Sequence, residues 1–257
     1  YEISLGLVGS EMCIRDSHIA DASIMYKFAV KSIAAKYGLV ASFMPKPFYG
    51  QYGAGMHTHQ SLMDVRERRN LFHGSSCQNL SEIALYFIGG LIKHAREIAA
   101  ITNPTVNSYK RLVPGWEAPV YITWARYNRS ALIRVPMTTD PRKVRIEYRA
   151  TDGSCNPYLA FAVMLMAGLD GVKNKLEPPP PVEENIYKMT QEERQRRGIE
   201  TLPGSLGEAL KEAENSTIIK ETLGNKAYKK YMEEKYKEWF EFNVRVHEWE
   251  RQKYIDV

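Results

Sequence analysis

From Ala20 the apolar positions, Ile24 and Phe28 among them, recur near helical spacing as far as residue 37, and Gly38 stops the pattern. A helix over 20–37 is predicted. "LVASFMPKP" reads as a short strand ended by prolines, and "GQYGAGMHTHQSLMD" as a glycine-rich turn feeding a second strand. "SEIALYFIGGLIKHAREIAAI" predicts one long helix with Ser81 as N-cap, closed by Asn103-Pro104. After loop signals in "NPTVNSYKRLVPGWEAP" come three strand runs, "VYITWA", "SALIRV" and "VRIEYRA", spaced like hairpins. "NPYLAFAVMLMAGLDGVKNKL" predicts a mostly buried helix with Pro157 in its first turn. "EPPPPVEENIY" is a proline-rich surface loop, Ser205-Leu-Gly-Glu208 a capping box, and a charged helix runs from about Asn225 to Tyr254. Mixed strands and helices with no internal repeat give an α+β class.

One stretch has no place in this pattern. "LGLVGSEMCIRDS", residues 5–17, separates Tyr1-Glu2-Ile3, which reads like the middle of a strand, from the first helix. It lacks the charged region and apolar core of a signal peptide. Met-Cys-Ile-Arg-Asp-Ser can be encoded by a string resembling the transposon end used to tag DNA in sequencing libraries. Residues 4–18 are therefore read as an artefactual insert, with 5–17 translated adapter; a natural loop insertion is the other reading. On that reading Cys13 carries no chemistry.

Composition narrows the class. The 257 residues can bury a real core, and the net charge of +5 is spread among interleaved acids and bases. No basic stripe suggests nucleic acid, and the longest apolar run, Tyr158 to Leu169, is shorter than the roughly 20 residues of a membrane helix. Three cysteines, Cys13, Cys77 and Cys155, have no metal-type spacing and an odd count, which suits a reducing, cytoplasmic compartment.

Two strands hold the candidate chemistry. In "MHTHQS" alternation puts His57, His59 and Ser61 on one face, a metal or phosphate site or else a solvated strand face. In "VRIEYRAT" the same period aligns Arg145, Glu147 and Arg149: a carboxylate able to ligate a cation between arginines able to hold anions, or else a surface ladder of salt bridges. Arg111, Arg129, Arg134 and the loop residue Glu117 add to a set suited to phosphoryl transfer between anionic substrates. No Walker A or dinucleotide-binding glycine motif is present.

"GAGMHTHQSL", "NPTVNSYKRLVPGWEAPVYITWARYNRSALIRVP", "VRIEYRATDGSCNPYLAFAVMLMAGLDGVKNKL" and "VEENIY", in this order, resemble the catalytic part of type I glutamine synthetases. The likeness runs from Ile19 to about Tyr187 and more loosely to the C-terminus. It implies a ligase that makes glutamine from glutamate, ammonia and ATP through γ-glutamyl phosphate. It also implies a funnel of antiparallel strands flanked by helices, divalent cations (Mg²⁺ or Mn²⁺), and a homo-oligomer of paired hexameric rings. By motif position His57 and Glu147 would bind metal, and so would Glu2 in the remnant "YEI". His59, Ser61 and Arg145 would lie along ATP, Arg129 and Arg134 at the phosphates, and Gly53, Arg111 and Arg149 around glutamate. Glu117 would sit on a mobile flap, helping to bind ammonium and accept its proton.

The chain departs from the family pattern at three places. Tyr52 stands where the family has Asn beside Gly53, "ATDGS" replaces Cys-Pro-Asp-Pro-Ser, and "NIYKM" keeps Tyr187 without the acidic neighbour of adenylylated members. Tyr52 keeps open a γ-glutamyl ligase for another amine. A non-catalytic subunit would have shed the metal ligand and arginine set, yet His57, Glu147 and the five arginines are retained. The family's N-terminal β-grasp domain is missing, so the expected organisation is a strand remnant (1–3), the insert (4–18) and the C-terminal part of a catalytic domain (19–257), helical over 204–257. As a cut barrel with bare strand edges it is expected to be inactive alone.

Overall fold

The structure is a computed structural model that describes residues 16–64, 66–75, 79–116 and 118–257. Glu2, Cys13, Cys77 and Glu117, all singled out above, lie outside these residues.

Helix α1 (Asp16–Lys36) starts earlier than the hydrophobic pattern predicts, inside the 4–18 segment, and Gly38 follows it at φ 67°. The strand expected in "LVASFMPKP" does not form. Two prolines remove ladder donors, and the chain instead ties Lys46 N to Asn107 Oδ1 at 2.8 Å. Strand β1 (Thr58–Gln60) forms as expected.

Ser81 caps α2 (Glu82–Lys93), its hydroxyl accepting from Ala84 N at 3.1 Å. The single long helix expected here is two, because His94 separates α2 from α3 (Ala95–Thr102). The His94 ring is buried and bridges Glu97 (Nδ1, 3.1 Å) and Asp170 (Nε2, 2.8 Å). A short α4 (Ser108–Arg111) leads to the strands β2 (Tyr121–Ala125), β3 (Ala131–Arg134) and β4 (Ile146–Tyr148). In α5 (Pro157–Asn174) the Asn156 side chain accepts from Tyr158 N at 3.0 Å, and Pro157 occupies the first turn, where no donor is needed.

The sheet order is β1-β4-β3-β2, with β1–β4 and β3–β4 antiparallel. β2 and β3 pair parallel rather than as the expected hairpin, since the intervening residues carry the chain back along β2 before β3 starts. The β2 edge is not bare: Ile122 N donates to Glu200 O (2.9 Å) and Leu202 N to Val120 O (2.8 Å). In β4 Ile146 and Tyr148 point into the core while Glu147 faces the other way, as a period of two requires.

After the proline-rich loop come α6 (Gln191–Arg196), α7 (Leu206–Asn215), α8 (Thr217–Asn243) and α9 (Glu248–Tyr254). The Ser205 hydroxyl accepts from Glu208 N at 3.1 Å, but Glu208 reaches Gly204 N rather than Ser205 N, so the capping box is one residue out of register. The charged helix expected from Asn225 onward starts at Thr217 instead, bends at Gly224 (φ 71°) and stops at Asn243, leaving α9 separate. No helix among the described residues is long and apolar enough to cross a membrane.

The His94 bridge makes stability depend on pH. Burial alone would lower its pKa, but the hydrogen bonds it donates to Glu97 and Asp170 outweigh that and raise it. Burial raises both carboxylates in turn, and the bonds to His94 more than reverse this, leaving them lowered. A raised imidazole stabilises fully below its unfolded value of about 6.5 and fades as pH climbs through the folded one; the depressed carboxylates stabilise above unfolded values of about 4 and fade as pH falls. The difference in thermal midpoint between wild type and His94→Gln is therefore expected to peak at about pH 5–6 and shrink on both sides. A scan of melting temperature against pH checks this.

Candidate active site

The sheet register assembles the site. Glu147 is the cross-strand partner of His59 on β1 and of Arg134 on β3, so the three form a row across one face. His57, two residues before His59, gives its Nδ1 to Glu147 Oε1 at 2.9 Å. Arg134 Nε pairs with the other oxygen, and Arg149 Nε stands 4.0 Å from Oε1. Both sequence readings of these strands thus meet in one cluster. The alternative of a solvated surface ladder fails for β4, because Glu147 and Arg149 are buried.

Burial opposes the charge on Glu147, but the bond and charge of His57, with the Arg134 guanidinium, hold its pKa down to about 2. His59 is exposed, yet the surrounding protein strips enough water to lower its pKa; Glu147 opposes this and the Arg145 and Arg134 guanidiniums reinforce it. Arg145 Nε donates to His59 Nδ1 at 3.3 Å. The site therefore presents an ionised carboxylate, an imidazole held neutral and several guanidiniums on one face.

Arg111 and Arg149 are more deeply placed than a substrate clamp in free solvent would be. Arg111, at the end of α4, donates to the carbonyls of Ala150 (Nη1, 2.5 Å) and Arg149 (Nη2, 3.1 Å). Dehydration lowers its pKa to about 10, with the Asp152 carboxylate opposing the fall. Arg149 donates to the carbonyls of Arg129 and Ala131. Gly53 lies directly on Arg111: a Cβ there would stand 2.5 Å from Pro45 O and 2.9 Å from Arg111 Cγ, so only glycine fits. The side chain of Arg129 and Ser61 are exposed.

Three neighbours, Trp116, Asn103 and Asp152, were not singled out as site residues in the sequence. Trp116 takes the Tyr52 ring edge-on (centroids 6.1 Å) and the Lys46 ammonium over its face (4.2 Å). Asn103, read in the sequence only as part of a helix stop, and Asp152 are fully buried beside the Arg111 guanidinium. Nothing in local spacing marks any of them for the site.

A divalent cation fits the donor chemistry in part. His57 Nδ1 and Glu147 Oε1 form a nitrogen–oxygen pair, but no three His, Cys, Asp or Glu side chains converge as a metal cage among the described residues. Further donors must come from elsewhere.

A buried carboxylate ringed by imidazoles and guanidiniums defines an anion-binding domain with a partial cation site. The chain belongs to the glutamine synthetase family: the family model "Glutamine synthetase, catalytic domain" matches residues 13–254. It is 55% identical over 250 residues to a glutamine synthetase of Pyrococcus abyssi, covering 93% of this chain and 56% of that protein. A Thermotoga maritima glutamine synthetase is 52% identical over 237 residues, with 92% and 53% covered. Among solved structures, one titled "GmaS/ADP complex-Conformation 1" superposes with a TM-score of 0.84 at 38% identity, over 93% of this chain and 54% of that one. "Apo GmaS without ligand" gives 0.80 at 37% identity. The chain spans about half the length of the curated relatives it matches.

Proposed function

We propose that this chain is part of an ATP-dependent ligase that joins ammonia to glutamate, giving glutamine. The observation that carries this reading is the ionised Glu147 held between His57 and Arg134 on a face lined with arginines. In the proposed reaction a γ-carboxylate oxygen of glutamate attacks the γ-phosphorus of ATP, releasing ADP and forming γ-glutamyl phosphate. Ammonia then attacks the acyl carbon, and the carbon–oxygen bond breaks to release phosphate.

Each proposed role matches the side chain. Arg129, an exposed residue, and Arg134 neutralise the charge that moves with the phosphoryl group. Arg145, His59 and Ser61 bind the nucleotide, a role supported by the ADP named in a neighbour's title. Gly53, Arg111 and Arg149 bind glutamate, and Glu117 accepts the proton of ammonium. A divalent cation, Mg²⁺ or Mn²⁺, held by His57, Glu147 and Glu2 would neutralise phosphoryl oxygens. The homo-oligomer of paired hexameric rings, a cytoplasmic location, and the partition into 1–3, 4–18 and 19–257 belong to the same proposal.

Tyr52 favours a second reading, ligation of a larger amine, because its ring rests edge-on against Trp116 next to Gly53. One experiment addresses both. The full-length protein, given ATP and glutamate, is expected to release ADP with ammonia and far more slowly with methylamine or polyamines. A preference for methylamine or a polyamine would replace the first reading with the second, and no amine-dependent ADP release would end both.

A further inference from the structure

Behind the sheet face lies a buried polar cluster to which the proposed reaction gives no role. Asn103, at the C-terminus of α3, is fully buried, and its Nδ2 donates to Ala150 O at 2.7 Å and to Asp152 Oδ2 at 3.0 Å. Thr102 Oγ1 donates to Asn103 Oδ1 at 2.9 Å, which fixes the orientation of the amide. Asp152 is also fully buried, and its Oδ1 accepts from Ser154 N (2.9 Å) and Ser154 Oγ (2.5 Å). The groups that hydrogen-bond the Asp152 carboxylate, the Asn103 amide and the Ser154 N–H and hydroxyl, are all neutral. A carboxylate is costly to bury, so one held solely by neutral donors calls for a reason.

The reason lies one bond away. The Ala150 carbonyl that Asn103 holds is the one that accepts from Arg111 Nη1, and the carbonyl before it accepts from Arg111 Nη2. The Asp152 charge also acts directly on that guanidinium, opposing its dehydration. We propose that Asn103 and Asp152 are positioning residues. They pin the main chain at the end of β4 and so aim the Arg111 guanidinium at Gly55, where a Cβ would collide with Nη2, two residues from Gly53, where the amino-acid substrate is to bind. The inference rests on the glutamate-site reading given above.

The test uses Asp152→Asn in the full-length protein, which keeps the shape and removes the charge. KM for glutamate is expected to rise about tenfold while KM for ATP stays within about twofold. A purely structural role would lower the melting temperature and leave both KM values unchanged, or raise them together; either result overturns the proposal. Should Asp152→Asn not fold, Ser154→Ala removes one donor to the same carboxylate and is expected to raise the glutamate KM alone by about threefold. No change in that variant overturns the proposal. A crystal structure of whichever variant folds separates this inference from the reading beneath it. If the wild-type protein makes no glutamine, the functional reading fails, yet an Arg111 side chain displaced from the carbonyls of Arg149 and Ala150 still supports positioning, and an unmoved one refutes it.

Discussion

Glu147→Gln in the full-length protein is expected to lower kcat/KM by at least about a thousandfold while leaving the fold in place. The carboxylate makes a 2.9 Å bond to His57, pairs with Arg134 and faces Arg149, so one formal charge balances several neighbours. Gln keeps the volume and can still accept one bond, but the surrounding cations then repel one another and any cation site loses its only anionic donor among the described residues. Arg134 and His57 are each about a third exposed, so solvent screens part of the penalty and the stability loss is held to about 2 kcal/mol or less. Because the pKa of Glu147 is held down to about 2, activity near neutral pH does not report its titration. Steady-state kinetics with a thermal melt of the same sample checks both parts. A variant within tenfold of wild type would remove Glu147 from the reacting centre.

The largest expected effect on stability lies far from that face. Where α2 crosses α5, Gly90 and Gly171 bring two helix backbones into contact. A Cβ at Gly171 would stand 2.5 Å from Gly90 N and 2.7 Å from its Cα, and one at Gly90 would stand 2.8 Å from the Gly171 Cα. The atoms struck are backbone and cannot rotate aside. Gly90→Val is expected to cost at least about 3 kcal/mol, because the helices must separate and every core contact along both must loosen. Phe87, Ile88 and Leu91 on α2 pack in that layer, as do Val163, Met164 and Ala167 on α5. Urea unfolding would show the shift in midpoint, and a midpoint unchanged within error would refute this view of the crossing.

The parts of the fold legible in the sequence are those governed by local periodicity. Alternation in "MHTHQS" and "VRIEYRAT" puts His57 with His59 on one strand face and Glu147 with Arg145 and Arg149 on another, and the register joins the two by pairing His59 with Glu147. Ser81, Pro157 and Ser205 mark helix starts in the sequence because the signals of a first turn act within three residues. What stayed hidden depends on distant partners. The α2–α3 break follows from His94 reaching Asp170, and the split of the last helix from the bend at Gly224 and the stop after Asn243. The parallel pairing of β2 with β3 is invisible to spacing, because so short a connection reads as a hairpin. At the site, residue types and faces were readable. That Arg111 and Arg149 lie buried on main-chain carbonyls, and that Asn103 and Asp152 stand behind them, required the tertiary arrangement.

If this chain supplies part of a ligase that activates glutamate as an acyl phosphate, an oxygen of glutamate must leave with phosphate. Incubating the full-length protein with ATP, ammonia and glutamate labelled with ¹⁸O in its γ-carboxylate reads this by mass spectrometry of the released phosphate. One ¹⁸O is expected to pass from glutamate into phosphate for each glutamine formed. Phosphate free of label, or ATP hydrolysis without glutamine, would rule out the acyl phosphate.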